Sequence, residues 1–500
     1  MVRQVDLAQV LADAFGALDA GRTDDAKRLT RTVERLRPDL PGLAYLRGLL
    51  ALAEGQGRKA AQHLAKALAQ TPDVPPLLLA MARAQAMQGR HTVAETLYRR
   101  LMQLLPDLAD AYDELGEILL RQEQYGPAGV LLRRANILHP GQARGLNNLG
   151  VVERALGHWE AAALAFAQAI DADGSSAKAY ANLAGVLRRR KRPEEAVDLA
   201  RQATVLDPDD ATNWLELGQA ERDGGDLPAA LTAFTAAIDR DFSLLEALWL
   251  QGECLAAMGR SAEAADVLRL LLVRDPDDRF GAELALARLT GVSSPTAASA
   301  AFVRTLFDQY ADSFDHDLVD GLDYHGPEML VAAIVRSLGR GPFDCFDAGC
   351  GTGLAGVALK PFVRRLDGVD LSPRMAAKAA ERGIYDAVEA GDMVGALAGR
   401  PVTYDLVVAA DVLIYLGDLA PLFRAAAGAL RAGGGFVFTA ESHPGEGSLL
   451  QESRRFAHSE SCLRQLAAMA GFRPLLMENT SVRHDRGQPV PGLLAVLKKD

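Results

Sequence analysis

A chain of 500 residues is long enough to bury two or three separate cores, so one compact unit is not expected. Its formal charge of -11 gives no overall footprint for a phosphate backbone, and its four cysteines, Cys254, Cys345, Cys350 and Cys462, lack the close grouping of a disulfide framework or zinc cluster. No apolar run reaches the ~18 residues of a membrane span, and the opening MVRQVDLAQV lacks the apolar centre of a signal peptide, so a protein of the reducing cytoplasm, with no membrane and no nucleic acid as partner, is expected.

Internal repetition comes first along the chain. Alanine recurs every 34 residues, at Ala26, Ala60, Ala94, Ala128, Ala162, Ala196, Ala230 and Ala264. A second series, Ala14, Gly48, Ala82, Gly116, Gly150, Ala184, Gly218 and Gly252, admits only the two smallest residues, as two crossing helices require. Proline closes most units, at Pro38, Pro72, Pro106, Pro140, Pro208 and Pro276, where it stops the second helix. Leu78, Tyr112, Tyr180 and Trp214 supply a bulky residue at the fourth position of their units, to fill the crevice between helices. This combination resembles the tetratricopeptide repeat, with eight units over roughly residues 7–276. An all-α solenoid of eight helix pairs is therefore expected over residues 1–290, sealed by a capping helix in RFGAELALARLTG. Residues 291–300, containing VSSPTAAS, read as a linker.

The resemblance implies a concave face suited to an extended protein or peptide. On it the sequence places Arg144, Asn147, Asn148, Arg154, Lys178, Asn182, Arg188, Arg189 and Arg222, a basic patch in an acidic chain. Asn148, Lys178, Asn182, Arg188, Arg189 and Arg222 are the expected partner-binding residues, with Asn148 and Asn182 in equivalent places one repeat apart.

From residue 301 to 500 short apolar strands alternate with helices, which predicts a parallel sheet covered on both faces. Seven strands are expected near 343–348, 364–370, 385–391, 404–410, 435–441, 472–478 and 491–497. Only NTSVRHDRGQPVPG separates the last two, so a terminal hairpin is expected to put an antiparallel strand at the end of this Rossmann-like sheet. Before the strands, FVRTLFDQYADSFDHDL has a helical stripe at Val303, Leu306, Phe307, Tyr310 and Phe314.

The stretch FDAGCGTGLAG, Phe346 to Gly356, satisfies the glycine pattern of dinucleotide-binding loops. Asp347 argues against that ligand, because a carboxylate ahead of the glycines would repel a diphosphate and attract a cation. S-adenosylmethionine carries an ammonium and a sulfonium and no phosphate. Asp370 ends the second strand, where an acid can accept both ribose hydroxyls, and Asp392 ends the third, beside Met393. Asp411 ends the fourth, where the sulfur should lie.

These motifs resemble the class I S-adenosylmethionine-dependent methyltransferases, and the whole chain resembles a bacterial group of predicted methyltransferases that contain tetratricopeptide repeats. The resemblance implies cofactor contacts from Asp347, Ala348, Gly349, Cys350, Gly351 and Gly353 in the loop, from Asp370 with Leu371, from Asp392 with Met393, from Asp411, and from Tyr310 in a covering segment. No metal is expected to take part. The fourth strand ends in ADVLIY rather than the Asn/Asp-Pro-Pro-aromatic run of enzymes that methylate base amino groups, so nucleic-acid bases are set aside. His443 is the first choice of general base, with Tyr415 and His458 behind it, and a protein or a small molecule is the acceptor. Two alternatives stay open at this point: a non-catalytic scaffold that only senses S-adenosylmethionine, and, more weakly, a nicotinamide enzyme.

Overall fold

The computed structural model describes residues 6–292, 295–312, 314–316, 318, 324–481, 483–485 and 488–500. Ser293, Ser294, Ser313, Asp317, Val482, Arg486 and Gly487, which belong to stretches singled out above, lie outside the described residues. The chain divides into two compact units, Met1–Asp241 and Phe242–Asp500.

Helices α1 (Leu7–Asp19) to α14 (Leu227–Arg240) form seven antiparallel pairs in the first unit. An eighth pair, α15 (Leu245–Ala257) and α16 (Ser261–Arg274), and a short helix α17 (Ala282–Thr290) belong to the second. The 34-residue alanine series is fully buried in every repeat, as the crossing argument requires. At the second series a β-carbon on Gly150 would come within 2.5 Å of the Phe166 ring, and one on Gly218 within 2.5 Å of Phe234. The glycines thus set how closely each pair can pack. Second helices stop where proline follows: α4 (Gly57–Gln70) ends two residues before Pro72, and α6 (His91–Leu104) two before Pro106. The crevice residues also tie repeats together, with Tyr112 Oη donating to the Pro106 carbonyl (3.0 Å) and Trp214 Nε1 to that of Pro208 (2.8 Å).

In the second unit a seven-stranded sheet has the order β3-β2-β1-β4-β5-β11-β8. Its strands are β1 (Phe343–Ala348), β2 (Val363–Asp370), β3 (Ala387–Ala390), β4 (Tyr404–Ala409), β5 (Leu430–Glu441), β8 (Phe472–Thr480) and β11 (Gly492–Lys499). All seven expected strands are present. Two small hairpins, β6 (Ser448–Leu450) with β7 (Phe456–His458) and β9 (His484–Asp485) with β10 (Gln488–Pro489), were not anticipated. The hairpin of β8 and β11 is antiparallel as expected, but β11 also pairs antiparallel with β5 and so lies inside the sheet, with β8 at the edge. The expected antiparallel hairpin thus closes this end of the sheet, with its inner strand buried from Leu493 to Leu497.

Phe346, Tyr404, Phe436, Phe438 and Phe472 fill one face of the sheet against Phe423 of the helix Ala420–Ala429, while Leu366, Leu406, Val408 and Val496 fill the other against Leu330 and Ile334 of the helix Gly326–Leu338. The segment before α18 (Ala300–Tyr310) is no free tether. Ala298 N–H donates to the Tyr415 carbonyl (2.8 Å), Gly417 and Asp418 N–H groups donate to that of Thr296 (2.8 and 2.7 Å), and Ser299 Oγ donates to that of Asp278 (2.8 Å). Among the described residues no helix is long and apolar enough to cross a membrane.

Candidate functional site

Strand order reverses between β1 and β4, and in open α/β sheets ligands bind outside the carboxyl ends of the strands at such a point. A cleft of about 1210 Å³, counting its part open to solvent, lies there. Its floor is the glycine loop. Gly349, Gly351 and Gly353 all have left-handed backbones (φ 77°, 55° and 94°), which glycine adopts without the strain of a β-carbon. A β-carbon on Gly349 would meet Val412 at 2.6 Å, whereas one on Gly351 would face the open cleft, its nearest neighbour Phe314 at 3.8 Å. The loop is held from below, with Gly349 and Cys350 N–H groups both donating to the Val369 carbonyl at 2.9 Å.

Three of the four expected acids line the cleft: Asp370, Asp392 and Asp411. Asp370 Oδ2 accepts from Gly351 N–H and Oδ1 from Ser372 N–H, both at 2.9 Å, so this carboxylate also fixes the loop. Burial pushes its pKa up. Asp392 caps the helix Met393–Ala398 through Gly395 N–H (2.7 Å). Gly349, Cys350, Gly351, Leu371 and Met393 also face the cleft; Ala348 and Gly353 are not part of its lining.

Asp347 is placed differently from the expectation. It is fully buried beneath the floor and is not part of the lining. Tyr385 Oη donates to its Oδ2 (2.7 Å), and Oδ1 has no hydrogen-bond partner. Burial pushes its pKa up to about 7, against the lowering effect of the Tyr385 hydrogen bond.

At the β4 end Asp411 has a left-handed backbone (φ 53°), and its N–H donates to Thr439 Oγ1 (2.8 Å). Arg483, only 3% exposed in its side chain, donates from Nη1 to Asp411 Oδ2 and from Nη2 to Glu441 Oε1. Arg455 lies 3.8 Å from Glu441 and beside the Tyr415 hydroxyl. Tyr415, Tyr324, Arg455 and Arg483 complete this end of the lining. Helix α18 contributes Val303 and Phe307, and Phe307 meets the Tyr415 ring edge-on at 5.6 Å.

Three expected cleft residues lie elsewhere. Tyr310, at the last position of α18, is 49% exposed and outside the lining, because the buried stripe of that helix runs out at Phe307. His443 is folded into its own loop, with Nδ1 accepting from Gly445 N–H and Nε2 donating to the Gly447 carbonyl, both at 3.1 Å. Both ring nitrogens are therefore engaged away from the cleft. His458 is buried in β7 against the backbone of Leu413 and Leu416, and burial holds its pKa below the ordinary value. Arg483 and Tyr324 are polar residues of the cleft that sequence reasoning missed. Arg483 sits in a polar stretch between two strands with no periodicity to mark it, and only the pairing of β11 between β5 and β8 brings it to Asp411 and Glu441.

The expected basic patch on the solenoid is also corrected. Arg144 pairs with Asp113 (3.0 Å), Arg188 with Glu216 (2.8 Å) and Asp223 (2.9 Å), and Arg222 with Asp223 (3.3 Å). Arg189 lies over the Trp159 ring at 5.5 Å. Asn182 links Asn147 (2.9 Å) and Arg154 (3.2 Å). Acidic partners in a neighbouring repeat thus neutralise Arg144 and Arg188, while Arg222 pairs with Asp223 of its own helix. Lys178 is exposed, and Asn148 Nδ2 is buried with no hydrogen-bond partner.

An open α/β sheet with an acid-lined glycine floor, preceded by paired helices, defines a class: a Rossmann-like cofactor-binding domain joined to a helical-repeat region. The family comparisons resolve both parts. A methyltransferase-domain family matches residues 346–436, and tetratricopeptide-repeat families match residues 14–75, 51–101, 147–211 and 215–279. The chain thus carries tetratricopeptide repeats and a methyltransferase domain. A curated relative, the BBSome complex member BBS4 of Bos taurus, is 26% identical over 187 residues, 37% of this chain and 36% of that protein. The chain therefore spans about a third of that relative's length. Among solved structures, YrrB, described as a TPR protein with an unusual peptide-binding site, is 20% identical over 38% of this chain and 97% of its own (TM-score 0.34). The 1,6-didemethyltoxoflavin-N1-methyltransferase of Burkholderia thailandensis, with bound 1,6-didemethyltoxoflavin and S-adenosylhomocysteine, is 22% identical over 42% of this chain and 93% of its own (TM-score 0.34).

Proposed function

We propose that the protein is an S-adenosylmethionine-dependent methyltransferase of the cytoplasm whose repeats recruit a protein or peptide, with the solenoid over residues 1–290, a connecting segment at 291–300 and the catalytic domain from 301. The observation that carries this reading is the cleft at the ends of β1 to β4, where a glycine floor meets Asp370, Asp392 and Asp411. The residues fit the cofactor on two counts. The site beside Gly351 is open where a side chain would otherwise stand, and Asp347 Oδ1 is left beneath that floor as a buried acceptor without a partner, whose ionised form a cationic ligand above it would favour. Asp370 would hold the ribose and Asp392 the adenine amino group. When bound, the cofactor supplies an activated methyl group on a cationic sulfur.

The chain's own residues then supply alignment and a dry site. Phe307, Val303 and Tyr415 form an apolar wall over the floor, and Asp411 lines the cleft just past the end of β4. Of the expected proton-handling groups, Tyr415 remains at the cleft. On the solenoid, exposed Lys178 is the group best placed to meet a partner, since Arg188 and Arg222 are already paired.

Calorimetric titration of the full chain with S-adenosylmethionine, S-adenosylhomocysteine and NAD tests the cofactor assignment. Binding of the first two without the third is expected; binding of NAD alone, or of none, refutes it.

A further inference from the structure

Within the methyltransferase reading, the open matter is which group removes a proton from the acceptor, and what that requires of the acceptor. The cleft narrows the choice. His443 has both ring nitrogens engaged within its own loop, and His458 is buried outside the lining. Asp370 is tied to two backbone N–H groups at the end of β2, and Asp392 caps a helix after β3, so both lie on the ribose and adenine side. Burial keeps the Tyr415 and Tyr324 hydroxyls protonated far above neutral pH, which makes them donors.

Asp411 is held as none of these is. Its backbone takes a left-handed conformation uncommon for a residue with a side chain, fixed by the N–H bond to Thr439 Oγ1. One carboxylate oxygen, Oδ2, is anchored by Arg483, and Arg483 is itself anchored by Glu441. That leaves Oδ1 as the oxygen able to take a proton on the cleft side of β4.

We propose that Asp411 is the general base of the transfer, that Arg483 is its positioning residue, and that the acceptor is consequently a hydroxyl or amine that brings a proton into the cleft. In the step, the bond from the acceptor oxygen or nitrogen to the methyl carbon forms as the carbon–sulfur bond breaks. The electron pair of that bond goes to sulfur, and the acceptor's proton goes to Asp411 Oδ1 and then to solvent. The groups facing Asp411 are Arg483, Arg455, Glu441, Tyr324 and Tyr415. Burial raises its pKa against the pull of the two arginines, so it is a stronger base than a carboxylate in water.

The test uses the full chain, S-adenosylhomocysteine in a calorimeter, and S-adenosylmethionine with a radiolabelled methyl group in an extract of the source cells. Asp411→Asn is expected to bind S-adenosylhomocysteine within about threefold of wild type and to lose labelling by about 100-fold or more. Asp411→Glu keeps the charge and the Arg483 partner, and serves if the amide variant does not fold; it should bind normally and label slowly. Wild-type labelling should fall on the acid side as Asp411 is protonated, and Arg483→Lys should move that limb. Wild-type labelling by Asp411→Asn, an acid limb unmoved in Arg483→Lys, or a product methylated on a thioether sulfur overturns the assignment. If wild type binds no S-adenosylhomocysteine, or binds it and labels nothing, the methyltransferase reading itself falls, and the base with it.

Discussion

Burial decides what Asp347 can do. In water it would be an anion at neutral pH; under the glycine floor, with one oxygen unpartnered, its pKa reaches about 7. The folded protein keeps a proton there up to that pH, whereas the unfolded chain releases it near the ordinary 3.8. The unfolded state therefore binds fewer protons between about pH 4 and 7, and stability falls as pH rises through that window. Relative to Asp347→Asn, wild type should lose up to about 4 kcal/mol across it, measured by denaturant titration at both ends. A ligand ammonium reverses the preference by favouring the ionised form. S-adenosylhomocysteine should thus bind more tightly at pH 8 than at pH 6, with the difference abolished in Asp347→Asn. Gly349→Ala combines a left-handed φ with a 2.6 Å approach to Val412, so a loss of about 1–3 kcal/mol and weakened S-adenosylhomocysteine binding are expected in calorimetry.

Helix pairs depend on the same economy of space. A β-carbon at Gly218 has no room against Phe234, and Gly218→Ala should destabilise the first unit by about 1–3 kcal/mol, read as a lowered melting temperature. The β6–β7 hairpin is held from another direction. Its turn residue Arg454, at φ 62°, lies 4.9 Å over the Trp249 ring of α15 and 3.6 Å from Glu253, while Arg288 donates to the Glu452 carbonyl (2.7 Å). Its neighbour Arg455 faces the cleft. Arg454→Ala should speed amide exchange across residues 448–458 and leave the central strands protected; unchanged exchange would show that these contacts do not hold the hairpin.

For the chain as a whole, the change from repeat to α/β sequence and the division into compact units fall at different places. The 34-residue period runs to residue 276, yet the eighth repeat and α17 pack within the same unit as the sheet. Ser299 caps α18 while donating to the Asp278 carbonyl, and Gly281 lies against Phe302. A fragment beginning at Phe242 should therefore fold and bind S-adenosylhomocysteine. One beginning at Ala301 should melt markedly lower, because it exposes the surfaces that α15 and α17 cover.

The repeats and the strands were legible in the sequence because each rests on a local period: 34 residues for the helix pairs, and short apolar runs for strands buried on both faces. The glycine loop and the acids at Asp370, Asp392 and Asp411 were legible too, since a strand end fixes where the next residue stands. Other roles depended on contacts between residues far apart in the chain. Tyr385 turned Asp347 into a buried, half-satisfied acid, and the solenoid arginines found acids one repeat away. Loop closure hid His443, and Arg483 reached Asp411 across 72 positions because β11 inserts between β5 and β8. Periodicity reports which face of an element is buried. Only the folded chain sets the charge state and the partner of each polar group, because both depend on what distant segments bring against it.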